Sequence, residues 1–536
     1  MYLEIHVDRR RKTPYTYGLF RETFRQDGKV RHRTRGRVTG LSPEQLRALQ
    51  GFLQEGCPSA PLAGCRVTQS REYGAVRAVL EVARVLGLPR LLYSRQEDWV
   101  RHALAMIVGR VVYQGSKLGL TNLWKDTALW SLCGLGEDRP DVDACYAAMD
   151  QLLARQPAIQ KALAGRHLQD GCLVLYDVTS SYFEGRYAAS QLVTFGYNRD
   201  GKRGHKQVVI GLLTNAEGCP VGACVYRGNT NDQKTLPDRV KELKEQYHLR
   251  DVVLAGDRGM LTAARLPELS EAGIRSVTAL THPQILRLVE RKVIEPGLFD
   301  EREIAEIYDP ASPQVRYLLC RNPLTAEREH RTRETLIGKT REGLEQLARS
   351  RKKRTAEAWG AAVGVLLARY KVGKFFAWSI PQNKLEWQLD SQRVAVEESL
   401  DGCYVVRTDV SASMLDKNQA VASYRRLAEV DRGFRQIKTV SLEIRPTYHQ
   451  LDRRIEGHVF VCMLAYYLQW QMQQRLAPLF ALDGKGKNRR WTFGHVLERL
   501  KAIRQETVQM DQTEVSLKTT PDAEQQQILD LLGVSP

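Results

Sequence analysis

Two short apolar runs each end on an aspartate, and a third acid lies on a helical pattern far downstream. The first run, Cys172-Leu173-Val174-Leu175-Tyr176, ends on Asp177, and the second, Val252 to Gly256, ends on Asp257. Apolar runs of about five residues bounded by polar ones read as buried strands. An aspartate at the C-terminal edge of such a strand stands where α/β sheets usually place ligands and chemistry. Two close carboxylates repel unless a cation lies between them. An all-oxygen donor set suits magnesium or manganese. Two such ions, about 3.5–4 Å apart, activate both the attacking and the leaving oxygen of a phosphodiester, and a third carboxylate normally completes the set. For Asp177 alone, the alternative is a capping aspartate that opens a Thr179-Ser180-Ser181 turn.

The pattern over 417–440 is helical and offers the third acid. Tyr424, Asp431 and Lys438 are spaced by seven. Seven steps of about 100° return to within about 20° of the start, so the three share one stripe. That stripe is able to face metal ions and a phosphate backbone together. Glu429 lies about 160° around the helix from Asp431 and is expected to point elsewhere. A solvated helix face is the competing reading.

These acids need a sheet to hold them. Strands are expected at 172–177, 207–214 and 219–227, the last two joined by a turn at "NAEG". Helix–strand alternation follows: "TLPDRVKELKEQYH", the strand 251–257, "TAARLPELSEAG", then the strand 274–280. The result is an α/β fold, a mixed sheet with helices packed on it. From 285 to 401 the pattern changes to strand-like pieces ("VRYLLC", "KFFAW") around a long charged helix, "TRETLIGKTREGLEQLARSRKKRTAEAW". The strand 403–410 then resumes the core pattern. Upstream, residues 1–56 read as short strands and a helix starting at Ser42-Pro43-Glu44, 57–65 as a linker, and 72–170 as a helical region. The expected division is therefore 1–56, 72–170, 171–284, 285–401, 402–475 and a helical tail at 476–536.

Charge points to a polyanion. The 536-residue chain carries a net charge of +18. Residues 1–40 hold eleven basic against four acidic residues, Arg9, Arg10 and Arg11 among them. Tyr15, Tyr17, Phe20 and Phe24 are interleaved, a composition that suits phosphate contacts. No apolar run reaches the roughly 18 residues that span a membrane. The start, "MYLEIHVDRRRK", is a strand and a basic run rather than a secretory signal. Ten cysteines are scattered without a C-x-x-C pair, which argues against a zinc site or a disulfide framework and fits a reducing cytoplasm.

Other candidates are weaker. In "KRGHK" (202–206), His205 reads as a backbone contact to nucleic acid or a turn residue rather than a catalytic base. His449 and His458 are nine residues apart, too far for a metal pair on one helix. Trp378 and Trp387 are able to stack on an extruded base, but tryptophan in a β-rich segment is more often core. There is no P-loop, GxGxxG or Ser-His-Asp signature.

On these motifs the chain resembles the DDE transposases of bacterial insertion sequences, in particular the insertion-sequence-1634 group. The residues that carry the resemblance are "YDVTSSYFEG", "FGYNRDGKRGHKQVVIGLLTNAEGCPVG", "YRGNTND", "VVLAGDRGM" and "YRRLAEVDRGFRQIKTVSLEIRPTYHQLDRRIEGHVFV". The resemblance implies a ribonuclease-H-like catalytic fold in which Asp177, Asp257 and Asp431 bind two magnesium or manganese ions. It also implies an inserted domain before the last acid, and Tyr424 and Lys438 in the helical signature. Lys206, Arg258, Arg432 and Arg435 join Arg9, Arg10 and Arg11 as candidate DNA contacts. The implied activity is cleavage and strand transfer at terminal inverted repeats, by a homodimer on double-stranded DNA. Two residues depart from the signature: aspartate stands at 431 in place of glutamate, and Leu427 in place of arginine. A decayed copy that only binds DNA, and a metal-dependent nuclease without strand transfer, are the alternatives.

Overall fold

The computed structural model describes all residues except 1, 9–14, 27–28, 56–64, 203, 263, 301, 351–353, 441, 443, 445–446, 483–488, 511–512 and 536. Arg9, Arg10 and Arg11, and nearly all of the linker read at 57–65, therefore lie outside the described residues. The chain divides into two compact units. One comprises Met1–Arg155, Ser441–Glu443 and Leu464–Pro536, the other Gln156–Val440 and Ile444–Met463.

In the first unit, Tyr2–Asp8, Tyr15–Gln26 and Lys29–Val38 form an antiparallel sheet. The helix Pro43–Glu55 packs on it through Leu3, Val38 and Leu46. Ser42 caps that helix: Gln45 N–H donates to Ser42 Oγ (3.2 Å) while Ser42 N–H donates to Gln45 Oε1 (2.8 Å), a reciprocal box. A second sheet joins Cys65–Glu72 to Arg504–Met510, which pairs in turn with Thr513–Lys518. The tail read as helical thus contributes strands, because Val508 and Val515 alternate with polar residues at a period of two.

The second unit is built on an eight-stranded sheet. Its strands are β1 (Cys172–Phe183), β2 (Lys206–Asn215), β3 (Pro220–Arg227), β4 (Val252–Gly256), β5 (Ile274–Ala279), β6 (Ala305–Asp309), β7 (Ser312–Arg321) and β8 (Cys403–Thr408). The order is β6-β7-β8-β5-β4-β1-β2-β3. β1, β4 and β5 run parallel, and every other neighbouring pair is antiparallel. β4 is buried along its whole length, as the unbroken apolar run required of a strand covered on both faces.

β6 and β7 lie inside the segment read as an insertion, yet they extend the main sheet. Arg316 on β7 is almost fully buried and ties them to the chain beyond β8. Its Nε donates to Glu306 Oε1 (2.7 Å), and its Nη1 donates to the carbonyls of Val410 (2.8 Å) and Leu415 (2.8 Å). The long charged helix is two helices, Pro323–Ala348 and Ala356–Tyr370, which share a small core with Trp359, Phe375 and Phe376. Trp387 packs against that core, and Trp378, opposite it in a hairpin, is about 39% exposed.

Candidate active site

β1 and β4 pair in parallel from Cys172↔Val252 to Tyr176↔Gly256. β4 stops at Gly256, so the next residue on each strand, Asp177 and Asp257, stands level where the pairing ends. The turn after β4 is closed by the Asp257 carbonyl, which accepts from the Met260 and Leu261 amides at 2.9 and 3.0 Å. β1 does not stop at Asp177. It runs six residues further because β2 continues to pair with it, Asp177 opposite Leu212 and Phe183 opposite Lys206. Asp177 is therefore a mid-strand residue at the end of its parallel neighbour, and Thr179-Ser180-Ser181 is strand, not turn. Within that strand, Ser180 Oγ accepts from the Arg199 amide at 3.0 Å.

The third acid arrives on a helix that is less regular than its sequence spacing implies. The segment 417–440 forms α1 (Lys417–Arg425), α2 (Leu427–Arg435) and a closing π-turn, Gln436–Val440. Between the helices the Glu429 amide donates to the Arg426 carbonyl at 2.8 Å, a tightened i→i+3 turn. α2 buries Val430, Gly433 and Phe434, leaving Asp431 on the exposed side of the same helix, which packs on β1.

Charge couples the three carboxylates. Burial pushes the half-buried Asp177 carboxyl up to about 7, with the Asp431 and Asp257 charges adding to it and the Val178 amide and Arg199 opposing. Asp431 is raised by its covered portion and by Asp257, with Arg435 opposing. The Tyr424 hydroxyl is raised by burial and then by Asp257, with Arg258 opposing. Thus Asp177, Asp257, Asp431, Tyr424, Arg258 and Arg435 share one electrostatic neighbourhood. Among the described residues, no three His, Cys, Asp or Glu side chains stand close enough to hold one ion. The carboxylates feel each other without closing on a shared point. As a donor set they fit divalent ions: all are hard oxygens, and a cation is what would let a crowded Asp177 ionise at neutral pH.

The sign of this shift gives a stability test. Asp177 is raised in the folded chain above its ordinary value of 3.8. The metal-free fold therefore holds a proton that the unfolded chain releases, and stability falls as pH rises from about 4 to about 7. Asp177→Asn removes the penalty. The difference in unfolding free energy between variant and wild type should be near zero at pH 4 and grow to at most about 4 kcal/mol above pH 7. Urea denaturation across that range without added metal checks it; a constant difference would show that Asp177 is not crowded.

The remaining candidates separate. Glu429 pairs with Arg432 at 2.6 Å, and its Cβ lies against Gly218 in the β2–β3 turn, as expected of a residue turned off the stripe. Lys438 Nζ points into the sheet, donating to Thr179 Oγ1 (3.1 Å) and the Ser180 carbonyl (2.7 Å) and pairing with Asp200 at 2.6 Å. Lys206 opens β2 at the far end of β1 and donates to the Arg186 carbonyl at 2.9 Å. Sequence reasoning missed Asp200, whose only signal was an acid among the bases and glycines of "NRDGKRGHK". His205 packs edge-on against Tyr182. His449 and His458 do meet, with ring centroids 5.3 Å apart, because His449 precedes the helix that carries His458.

The family described as "Transposase DDE domain" matches residues 169–468. The chain belongs to that family. The match spans all eight strands and both α1 and α2. No curated protein sequence matches the chain. Among solved structures, a piggyBac transposase in a synaptic complex with hairpin DNA, from cryo-electron microscopy, is similar at 9% identity and a TM-score of 0.35. That likeness covers 80% of this chain and 76% of the other. No helix of the described residues is long and apolar enough to cross a membrane.

Proposed function

We propose that this DDE transposase cuts DNA at the terminal inverted repeats of its own element and joins the freed 3′ ends to target DNA. The observation that carries the reading is the level pairing of Asp177 and Asp257, with Asp431 brought over β1 by α2. The strand order β3-β2-β1-β4-β5, antiparallel up to β1 and parallel after it, supports a ribonuclease-H-like core. The quoted motifs support a place in the insertion-sequence-1634 group of bacterial elements.

Two magnesium or manganese ions held by Asp177, Asp257 and Asp431 would activate the attacking oxygen and stabilise the leaving one. The chain's own residues do the positioning. Arg258 and Arg435 flank the carboxylates and offset the charge of an incoming phosphodiester. Tyr424 presents a protonated hydroxyl next to Asp257, a donor for a phosphate oxygen. Lys438, anchored to Thr179 and Asp200, fixes the end of the helix on β1 and so the reach of Asp431; contact between its ammonium and DNA requires the Asp200 pair to open. The basic strands of residues 1–40 supply salt-sensitive affinity for double-stranded DNA, and a homodimer would hold two ends together. The expected compartment is the cytoplasm, on chromosomal DNA.

A binding-only protein is the second reading, favoured by the short acid at 431 and by the absence of a closed three-ligand cluster among the described residues. A strand-transfer assay with the element's own ends and magnesium decides. Joined products support the proposal, hydrolysis without joining leaves a nuclease, and binding without either leaves the decayed copy.

A further inference from the structure

Between β1 and β2, the backbone of residues 194–197 is tied down while two aromatic rings project into solvent. Phe195 is 63% exposed and Tyr197 84%, the latter the most exposed large apolar side chain among the described residues. Such exposure is ordinary in a loose loop, but this one is tied at each end and in the middle. Thr194 and Gln207 exchange backbone hydrogen bonds at 3.1 and 2.8 Å. Gln207, itself fully buried, donates from Nε2 to the Tyr197 carbonyl at 2.9 Å and the Gly228 carbonyl at 2.7 Å. Gly196, between the rings, presses so closely on the Gly228 backbone that a Cβ there would sit 1.9 Å from its carbonyl oxygen. No side chain fits at 196, so the rings on either side are splayed outward by the packing beneath them. A scaffold this constrained that nonetheless displays apolar surface marks a binding site.

Charge decides the occupant. Residues 186–206 carry five arginines and lysines against one acid, Asp200, and that acid is paired with Lys438. Lys206 lies over the Phe195 ring at 6.0 Å, and Lys202 over the neighbouring Tyr182 ring at 5.9 Å. Aromatic faces interleaved with cations match unpaired nucleobases on a phosphate backbone, since every base offers a π-face and every linkage a negative charge. An apolar protein partner would not call for the cations.

We propose that Phe195 and Tyr197 form a stacking ledge for unpaired bases of a DNA strand, at the loop end of the strand that carries Asp177. This rests on the DNA-processing reading above and specifies the state of the DNA: locally melted rather than fully paired. Stacking on an aromatic ring contributes about 1–3 kcal/mol per base, roughly 5- to 150-fold in affinity.

The test uses the full chain and two probes, a single-stranded oligonucleotide with internal 2-aminopurine and a fully paired duplex of the element's end. Wild type should quench the 2-aminopurine on binding. The Phe195→Ala/Tyr197→Ala double variant should lose at least tenfold in single-strand affinity together with the quench, while duplex affinity changes less than about threefold. Tyr197→Trp in the Phe195→Ala background should restore quenching. Both side chains are solvated, so truncation leaves the fold intact. Equal single-strand binding by wild type and the double variant would overturn the ledge and leave the transposase reading standing. A wild type that neither prefers nor cleaves the element's end, yet quenches the single strand through these rings, would sink the transposase reading and keep the ledge.

Discussion

Asp177→Asn and Asp257→Asn are each expected to abolish cleavage of an end substrate while leaving end binding nearly intact. On the two-ion reading proposed above, each removes one anionic oxygen ligand, at a loss of several kcal/mol of transition-state stabilisation, or at least about a thousandfold in rate. The geometry explains why neither is replaceable. The two residues stand level on adjacent parallel strands, Asp177 just past Tyr176 and Asp257 just past Gly256. No other acid of the described sheet shares that level. A gel assay on a labelled end, with binding by mobility shift in parallel, separates chemistry from affinity. Wild-type cleavage rates in either variant would remove these residues from the metal site.

The second large effect concerns the third acid. Asp431→Ala should be inactive and Glu429→Ala active, because only Asp431 shares the field of Asp257 and Asp177, whereas Glu429 is paired with Arg432. Asp431→Glu adds one methylene on the same helix and should retain or raise activity, since the carboxylates stop short of a shared ion site. Manganese is the informative metal, because magnesium demands near-ideal octahedral geometry and penalises a short ligand more heavily. An inert wild type with an active Asp431→Glu would identify a decayed copy. A dead Glu429→Ala beside an active Asp431→Ala would reassign the third acid outright.

Much of this site was legible in the sequence because its signals are local. An apolar run ending on an acid needs no tertiary information to read, and it located both sheet aspartates. What it could not show is where β1 ends. Strand length is set by the partner, and β2 pairs with β1 as far as Phe183, so a boundary read from polarity at Asp177 fell in mid-strand. The heptad stripe likewise assumed one regular helix. It located Tyr424 and Asp431 beside the sheet acids, but the tight turn at Arg426 and the π-turn after Arg435 bend the register, and Lys438 ends on Thr179 and Asp200 instead of among the carboxylates. Asp200 was invisible because its importance lies in a partner 238 positions away. "VRYLLC" showed the strand character of β7 but not its place in the main sheet: the pairing of β7 with β8 spans the whole inserted helical region, and no local pattern encodes so distant a neighbour.

That last pairing bears on how the gene for such a chain can be edited or can evolve. The residues between 285 and 401 do not form a cassette that could be snipped out and the ends rejoined. Removing them would strip β8 of its outer neighbour, exposing a raw sheet edge of the kind that recruits other chains. It would also take away the Arg316 guanidinium that clasps the Val410 and Leu415 carbonyls, on the stretch that leads into α1, the helix before the one bearing Asp431. A viable miniature of this protein would have to be trimmed within the helical part alone, between Arg321 and Cys403, with β6 and β7 left in place.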